Sequence, residues 1–149
     1  MEELRVKDIM QTDVVAAGPD TTVEELADLL AEHRISGVPV VDGENRVIGV
    51  VSEADVIMQD ADLHFPHYVQ LLESIIYLES VRKFEERYRK AFGTKVADIM
   101  SKEVVTISPE APVREAATLM ADRGVNRLPV TERRHLVGIV TRGDIVRAI

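Results

Sequence analysis

Val6-Lys7-Asp8-Ile9-Met10 returns 90 residues later as Val96-Ala97-Asp98-Ile99-Met100, and the reading of that echo decides the fold. Working outward at the same offset, Val14-Val15 falls on Val104-Val105, Pro19 on Pro109, Val23 on Val113 and Pro39-Val40 on Pro129-Val130. Between residues 6–41 and 96–131, 14 of 36 aligned pairs are identical. One residue is lost in the next loop. At an offset of 89, Gly49-Val50-Val51-Ser52-Glu53-Ala54-Asp55 then falls on Gly138-Ile139-Val140-Thr141-Arg142-Gly143-Asp144. A match of this length with one gap is an internal repeat, and a repeat governs the fold before any local motif does. The chain divides into a first repeat over 1–58, an insert over 59–94 and a second repeat over 95–149.

Each repeat reads in the order strand, helix, strand, strand, helix. Val14-Val15 is a short β-type run closed by Gly18-Pro19. Thr22 and Glu25 have capping-box spacing, and Val23, Leu26, Ala27 and Leu30 recur at helical spacing. Val38–Val41 and Val47–Val51 are two β runs separated by the turn residues Asp42-Gly43-Glu44-Asn45, and Ser52 opens a second helix. The expected class is mixed α/β (α+β), with two β-α-β-β-α repeats and a helical insert between them. A unit of about 55 residues is marginal alone, so two with apolar sheet faces are expected to pack together.

Composition narrows the function. The 149 residues include no cysteine, which excludes disulfide frameworks, thiolate zinc sites and cysteine nucleophiles. No apolar run approaches the roughly 18 residues of a membrane span, so no membrane insertion is expected. The start, MEELRVKDIM, lacks the basic-then-apolar profile of a secretory signal, so a cytoplasmic location is expected. A net charge of −8 argues against nucleic acid as a partner. The charge is uneven: residues 1–57 hold 4 basic and 13 acidic side chains, whereas residues 95–149 hold 9 and 7. All the aromatics (Phe65, Tyr68, Tyr77, Phe84, Tyr88, Phe92) lie in the insert.

The ordered set Asp8-Ile9-Met10, Ile35-Ser36-Gly37-Val38-Pro39-Val40-Val41 and Gly49-Val50-Val51-Ser52-Glu53-Ala54-Asp55, occurring twice, closely resembles a tandem pair of cystathionine-β-synthase (CBS) domains. The resemblance covers about three quarters of the chain. It implies a pseudo-two-fold module with two clefts between the repeats, which bind adenosine-containing ligands such as AMP, ADP or ATP.

Two readings attach to Ser52-x-x-Asp55 and Thr141-x-x-Asp144. One is a capping box, in which hydroxyl and acid close a helix start. The other is a nucleotide site: phosphate settles near a helix N-terminus, and a carboxylate accepts a pair of ribose hydroxyls. With no aromatic in either repeat, adenine would lie between aliphatic side chains, with Ile35, Val38, Val125 and Leu128 as candidates. These residues equally read as core. Backbone groups near Ala16-Ala17 and Thr106-Ile107 could meet the base edge. The resemblance implies one cleft combining Ile35, Ser36, Gly37, Val38 and Pro39 with Thr141 and Asp144. The other would combine Val125, Asn126, Arg127, Leu128 and Pro129 with Ser52 and Asp55. Arg142 stands where the first repeat has Glu53, so the Thr141/Asp144 cleft is expected to favour the more phosphorylated ligand. Arg127, whose counterpart is Gly37, could supply a cation to the other cleft. The basic turn Arg133-Arg134-His135 reads as solvent-facing.

Pro66 and Gly93 bracket an apolar pattern at helical spacing in the insert, from Tyr68 through Leu71, Leu72, Ile75 and Ile76 to Phe92. Its concentrated aromatics favour an interface with a second copy, over a pocket lined by Tyr77 or Tyr88. His64 and His67 are a weak metal pair without a third ligand, and no metal is expected. No Walker loop, GxSxG elbow or HExxH occurs, and no nucleophile has a positioned base, so an enzyme is not expected. The resulting expectation is a regulatory module that senses an adenine nucleotide and relays its state to an unidentified protein partner, as a homodimer. The alternative is a structural or dimerisation scaffold with no physiological nucleotide.

Overall fold

The computed structural model describes residues 3–58 and 94–149. The elements, in order, are α1 (Val6–Ile9), α2 (Val23–His33), β1 (Gly37–Val41), β2 (Val47–Ser52), a helix α3 whose described part is 53–58, α4 (Val96–Ile99), α5 (Val113–Arg123), β3 (Arg127–Glu132), β4 (His135–Thr141) and α6 (Arg142–Ala148). Helices and strands mix as expected, in two two-stranded sheets, β1-β2 and β3-β4. The expected insert helix lies outside the described residues.

Local sequence explains the elements. Thr22 Oγ1 accepts the Glu25 N–H at 3.1 Å and Glu25 Oε1 accepts the Thr22 N–H at 3.3 Å, which is the capping box the spacing predicts. Val23, Leu26 and Leu30 form the buried face of α2. In the β1–β2 turn, Asp42 Oδ1 accepts the N–H groups of Glu44 and Arg46, each at 2.9 Å. That side-chain turn closes the hairpin.

Two local expectations change. Val14-Val15 and Val104-Val105 do not form strands; these segments are extended, and pairing is confined to isolated bridges at Ala17 and Ile107. Ile107 accepts from Thr131 N–H and donates to the Pro129 carbonyl, beside β3. Pro19 and Pro109 follow within two residues and offer no N–H with which to extend a ladder. The second change is that the repeated Asp-Ile-Met block folds as the short helices α1 and α4. Their acids reach back to the helix start: Arg5 N–H donates to Asp8 Oδ2 at 2.8 Å, and Lys95 N–H to Asp98 Oδ2 at 3.3 Å.

The chain forms two compact units that do not follow the repeat boundaries. Of the described residues, one holds 3–16, 39–49 and 102–149; the other holds 17–38, 50–58 and 94–101. In the first, the opening segment of repeat one is built into repeat two. Val6 N–H donates to the Ala111 carbonyl, Lys7 N–H to Pro109, and Gln11 exchanges two backbone bonds with Ile139 on β4. The second unit mirrors this: Val96 N–H donates to Thr21, Ala97 N–H to Pro19, and Ser101 exchanges two backbone bonds with Val50 on β2. Each repeat's β hairpin therefore takes its edge partner from the other repeat.

The first unit's core is Val6, Ile107, Ala116, Met120, Leu128, Val130, Val140 and Ile145, one from the first repeat and seven from the second. The Met10-Gln11 segment lies so close to β4 that a Cβ on Gly138 would sit 2.6 Å from Met10 Sδ and 3.0 Å from the Gln11 carbonyl. The buried residues of the second unit include Ala17, Val23, Leu26, Leu30, Val51 and Val96.

Two outcomes are expected. Gly138→Ala lowers the urea-unfolding free energy by about 1–3 kcal/mol, the usual cost of overpacking. The C-cap of α5 is Gly124 at φ 65°, but the C-cap of α2 is Arg34 at φ 54°. Left-handed backbone suits glycine. Gly124→Ala is therefore expected to destabilise by about 1 kcal/mol, and Arg34→Gly to raise the thermal midpoint.

Candidate functional site

The hydroxyl and acid of each repeat meet at the junction of its second hairpin strand and last helix. Thr141 N–H donates to Asp144 Oδ2 at 2.9 Å and Asp144 N–H donates to Thr141 Oγ1 at 3.2 Å. In the first repeat, Ser52 N–H and the Ser52 hydroxyl donate to Asp55 Oδ2 at 2.8 and 3.3 Å. The reciprocal capping box is complete at Thr141/Asp144, whereas at Ser52/Asp55 both bonds run from the serine to the carboxylate; each arrangement fixes its acid. It also uses up backbone donors. Arg142 N–H donates to the Asn126 carbonyl at 2.9 Å, and Glu53 N–H to the Ser36 carbonyl at 2.8 Å. Two of the first three amides of α6 are thereby engaged inside the protein, leaving anion recognition mainly to side chains.

These bonds join neighbours within one repeat. Arg127 lies opposite Thr141 in the β3–β4 ladder, and Leu128 opposite Val140. Asn126, Arg127, Thr141, Arg142 and Asp144 are consequently one cluster, and Ser36 with Ser52, Glu53 and Asp55 is its counterpart.

The aliphatic candidates separate by burial. Val38 is 1% exposed and Leu128 0%, and Leu128 belongs to the core of its unit. Gly37, Pro39 and Pro129 are buried with them. Ile35 and Val125 are half-buried and retain surface for a flat apolar partner. Ala16 is half-buried, whereas Ala17 is buried. Thr106 is exposed, but the Ile107 backbone already bonds to Pro129 and Thr131.

Asp144 has further partners that sequence reasoning missed. Gln11 Nε2 lies 3.2 Å from Oδ1 and 3.3 Å from Oδ2, and Arg147 Nη2 donates to Oδ1 at 2.6 Å. The side chain is 7% exposed. Burial pushes its carboxyl up, but the bonds from Thr141, Gln11 and Arg147 outweigh it and hold the group below the ordinary carboxylate value. Arg147 carries a sequence signal, since it stands three residues beyond Asp144 on one helix face. Gln11 carries none, because its position depends on the exchange of segments between repeats. Among the described residues, no three His, Asp or Glu side chains converge as a metal set, and His64 and His67 lie outside them. No helix among the described residues is long and apolar enough to cross a membrane.

The family model of the CBS domain matches residues 6–62 and 96–149. The chain belongs to the CBS-domain family. As a CBS pair it is 31% identical over 156 residues to the uncharacterized protein MJ1426 of Methanocaldococcus jannaschii, covering 99% of this chain and 92% of that one. The crystal structure of CBSX2, a protein of Arabidopsis thaliana, in complex with AMP matches with TM-score 0.73 and 27% identity, over 97% of this chain and 94% of that one. The CBS domain of a CBS-domain-containing membrane protein from Sphaerobacter thermophilus matches with TM-score 0.73 and 27% identity, over 99% and 88%.

The lowered Asp144 carboxyl sets a pH dependence. Asp144 stays ionised in the folded CBS pair to a lower pH than in the unfolded chain. Its stabilisation is present above the unfolded value, about 3.9, and is lost as pH falls through the folded value. Urea midpoints measured from pH 7 to pH 3 are expected to show wild type more stable than Asp144→Asn at neutral pH, the gap closing in acid.

Proposed function

We propose that this CBS pair is a regulatory module that binds an adenosine-containing ligand and passes its bound state to a partner. The observation that carries the reading is the paired, rigidly held carboxylates Asp55 and Asp144, each fixed by a hydroxyl residue at a strand-to-helix junction. Support also comes from the AMP complex of a relative of the same fold, CBSX2. In this reading each carboxylate receives the two ribose hydroxyls. Ile35 and Val125 flank the base, whose edge meets backbone groups near Ala16 and Thr106. Arg142 and Arg127 meet the phosphates, while Glu53, at the position equivalent to Arg142, disfavours them. AMP, ADP and ATP are the ligands to test first.

The mechanism is differential binding: a ligand that contacts one arrangement of the segments better than another shifts their population, and the shift is what a partner detects. The aromatic insert supplies the homodimer contact in this proposal.

Thermal-shift measurements with AMP, ADP, ATP and adenosine are expected to raise the midpoint, since ligand at 100 times its dissociation constant adds about 2.7 kcal/mol. Calorimetry on Asp55→Ala and Asp144→Ala is expected to show each variant losing one class of binding event. No shift with any of these ligands would favour a scaffold without a nucleotide.

A further inference from the structure

The two repeats present the same carboxylate in unlike surroundings. At the Gln11 position the second copy has Ser101, and at the Arg147 position the first copy has Met58. Asp144 Oδ2 meets Thr141 N–H and Gln11 Nε2, and Oδ1 meets Arg147 Nη2 and the same Gln11 nitrogen. An ionised carboxylate has about four lone-pair positions, so Asp144 has no acceptor capacity left for a diol. Gly143 helps to hold this state: a Cβ there would lie 3.2 Å from Arg147 Nη1, and the first repeat has Ala54 instead. Gln11 and Arg147 both lie on the surface, so they can turn away without opening the core.

We infer that Gln11 and Arg147 form a latch over Asp144 that makes its site selective for anionic nucleosides. The inference rests on the proposed binding of adenosine-type ligands. Moving the Gln11 amide frees one position on each oxygen, enough for a ribose diol, and a hydroxyl on Oδ1 then shares that oxygen with the Arg147 guanidinium and weakens its bond. A neutral nucleoside offers that guanidinium nothing in return. A nucleotide brings a phosphate to receive it, so the weakened charge-assisted bond is replaced. The Asp55 site, with Ser101 and Met58 at these positions, has no equivalent latch among the described residues and discriminates less.

The test uses the full chain with Asp55→Asn as parent, so that binding is read at Asp144, and compares adenosine with AMP by calorimetry. The parent is expected to prefer AMP by a few-fold, up to about fivefold, since the Arg147 side chain is largely exposed and such a pair contributes about 1 kcal/mol or less. Arg147→Met is expected to tighten adenosine binding and collapse that preference, and Gln11→Ser to tighten both ligands. Thermal unfolding of each variant checks the fold. Weaker AMP binding with unchanged adenosine affinity in Arg147→Met would make Arg147 a simple phosphate ligand and overturn the latch. If the parent binds neither ligand, adenosine binding gained when Gln11→Ser and Arg147→Met are combined in it still supports the latch, and no gain overturns it. Failure of the functional reading looks different: wild type binds no adenosine-containing ligand at all.

Discussion

The backbone exchange between repeats is the constraint on which everything else hangs. Gln11 and Ile139 trade two backbone hydrogen bonds, and Ser101 and Val50 do the same. A two-stranded hairpin is marginal by itself in water. Here each hairpin gains an edge partner, and its core gains a valine, Val6 or Val96, both 0% exposed. Burying one such side chain contributes roughly 1.5–3 kcal/mol. Glycine at position 138 permits the approach. The same exchange carries Gln11 to Asp144, so an element of packing becomes part of the chemistry of the site.

Much of this was legible in the sequence because the repeat tests itself. The hairpins, the α2 cap and the turn at Asp42 follow from local chemistry that operates within four residues. The pair Ser52/Asp55 and Thr141/Asp144 was legible for the same reason. The exchange was not legible, since hydrophobic periodicity records which face is buried but not whose sheet it is buried against. Val14-Val15 misled because two β-branched residues favour extended backbone without supplying a ladder partner. Val38 and Leu128 read equally as walls of a slot and as core, and it is burial rather than residue type that separates them from Ile35 and Val125.

Duplication has also let the copies diverge. Several core positions keep their character, as at Val6 and Val96, Val38 and Leu128, and Val51 and Val140, whereas Leu26 is matched by Ala116 and Ala17 by Ile107. Around the carboxylates the copies differ at Gln11/Ser101, Glu53/Arg142, Ala54/Gly143 and Met58/Arg147. The first copy is strongly acidic and the second slightly basic, so the chain's net charge hides two different electrostatic settings for one motif.

The exchange also has a consequence for how the chain is made. Val6 must wait for Ala111, more than a hundred residues downstream, before its amide has an acceptor. During synthesis the first repeat emerges with its opening helix unpartnered and its hairpin edge at Val50 open until Ser101 follows. Closing a loop of that length is slow relative to local helix formation, though its entropic cost grows only logarithmically. The nascent chain exposes an unpaired strand edge at Val50 until Ser101 has emerged.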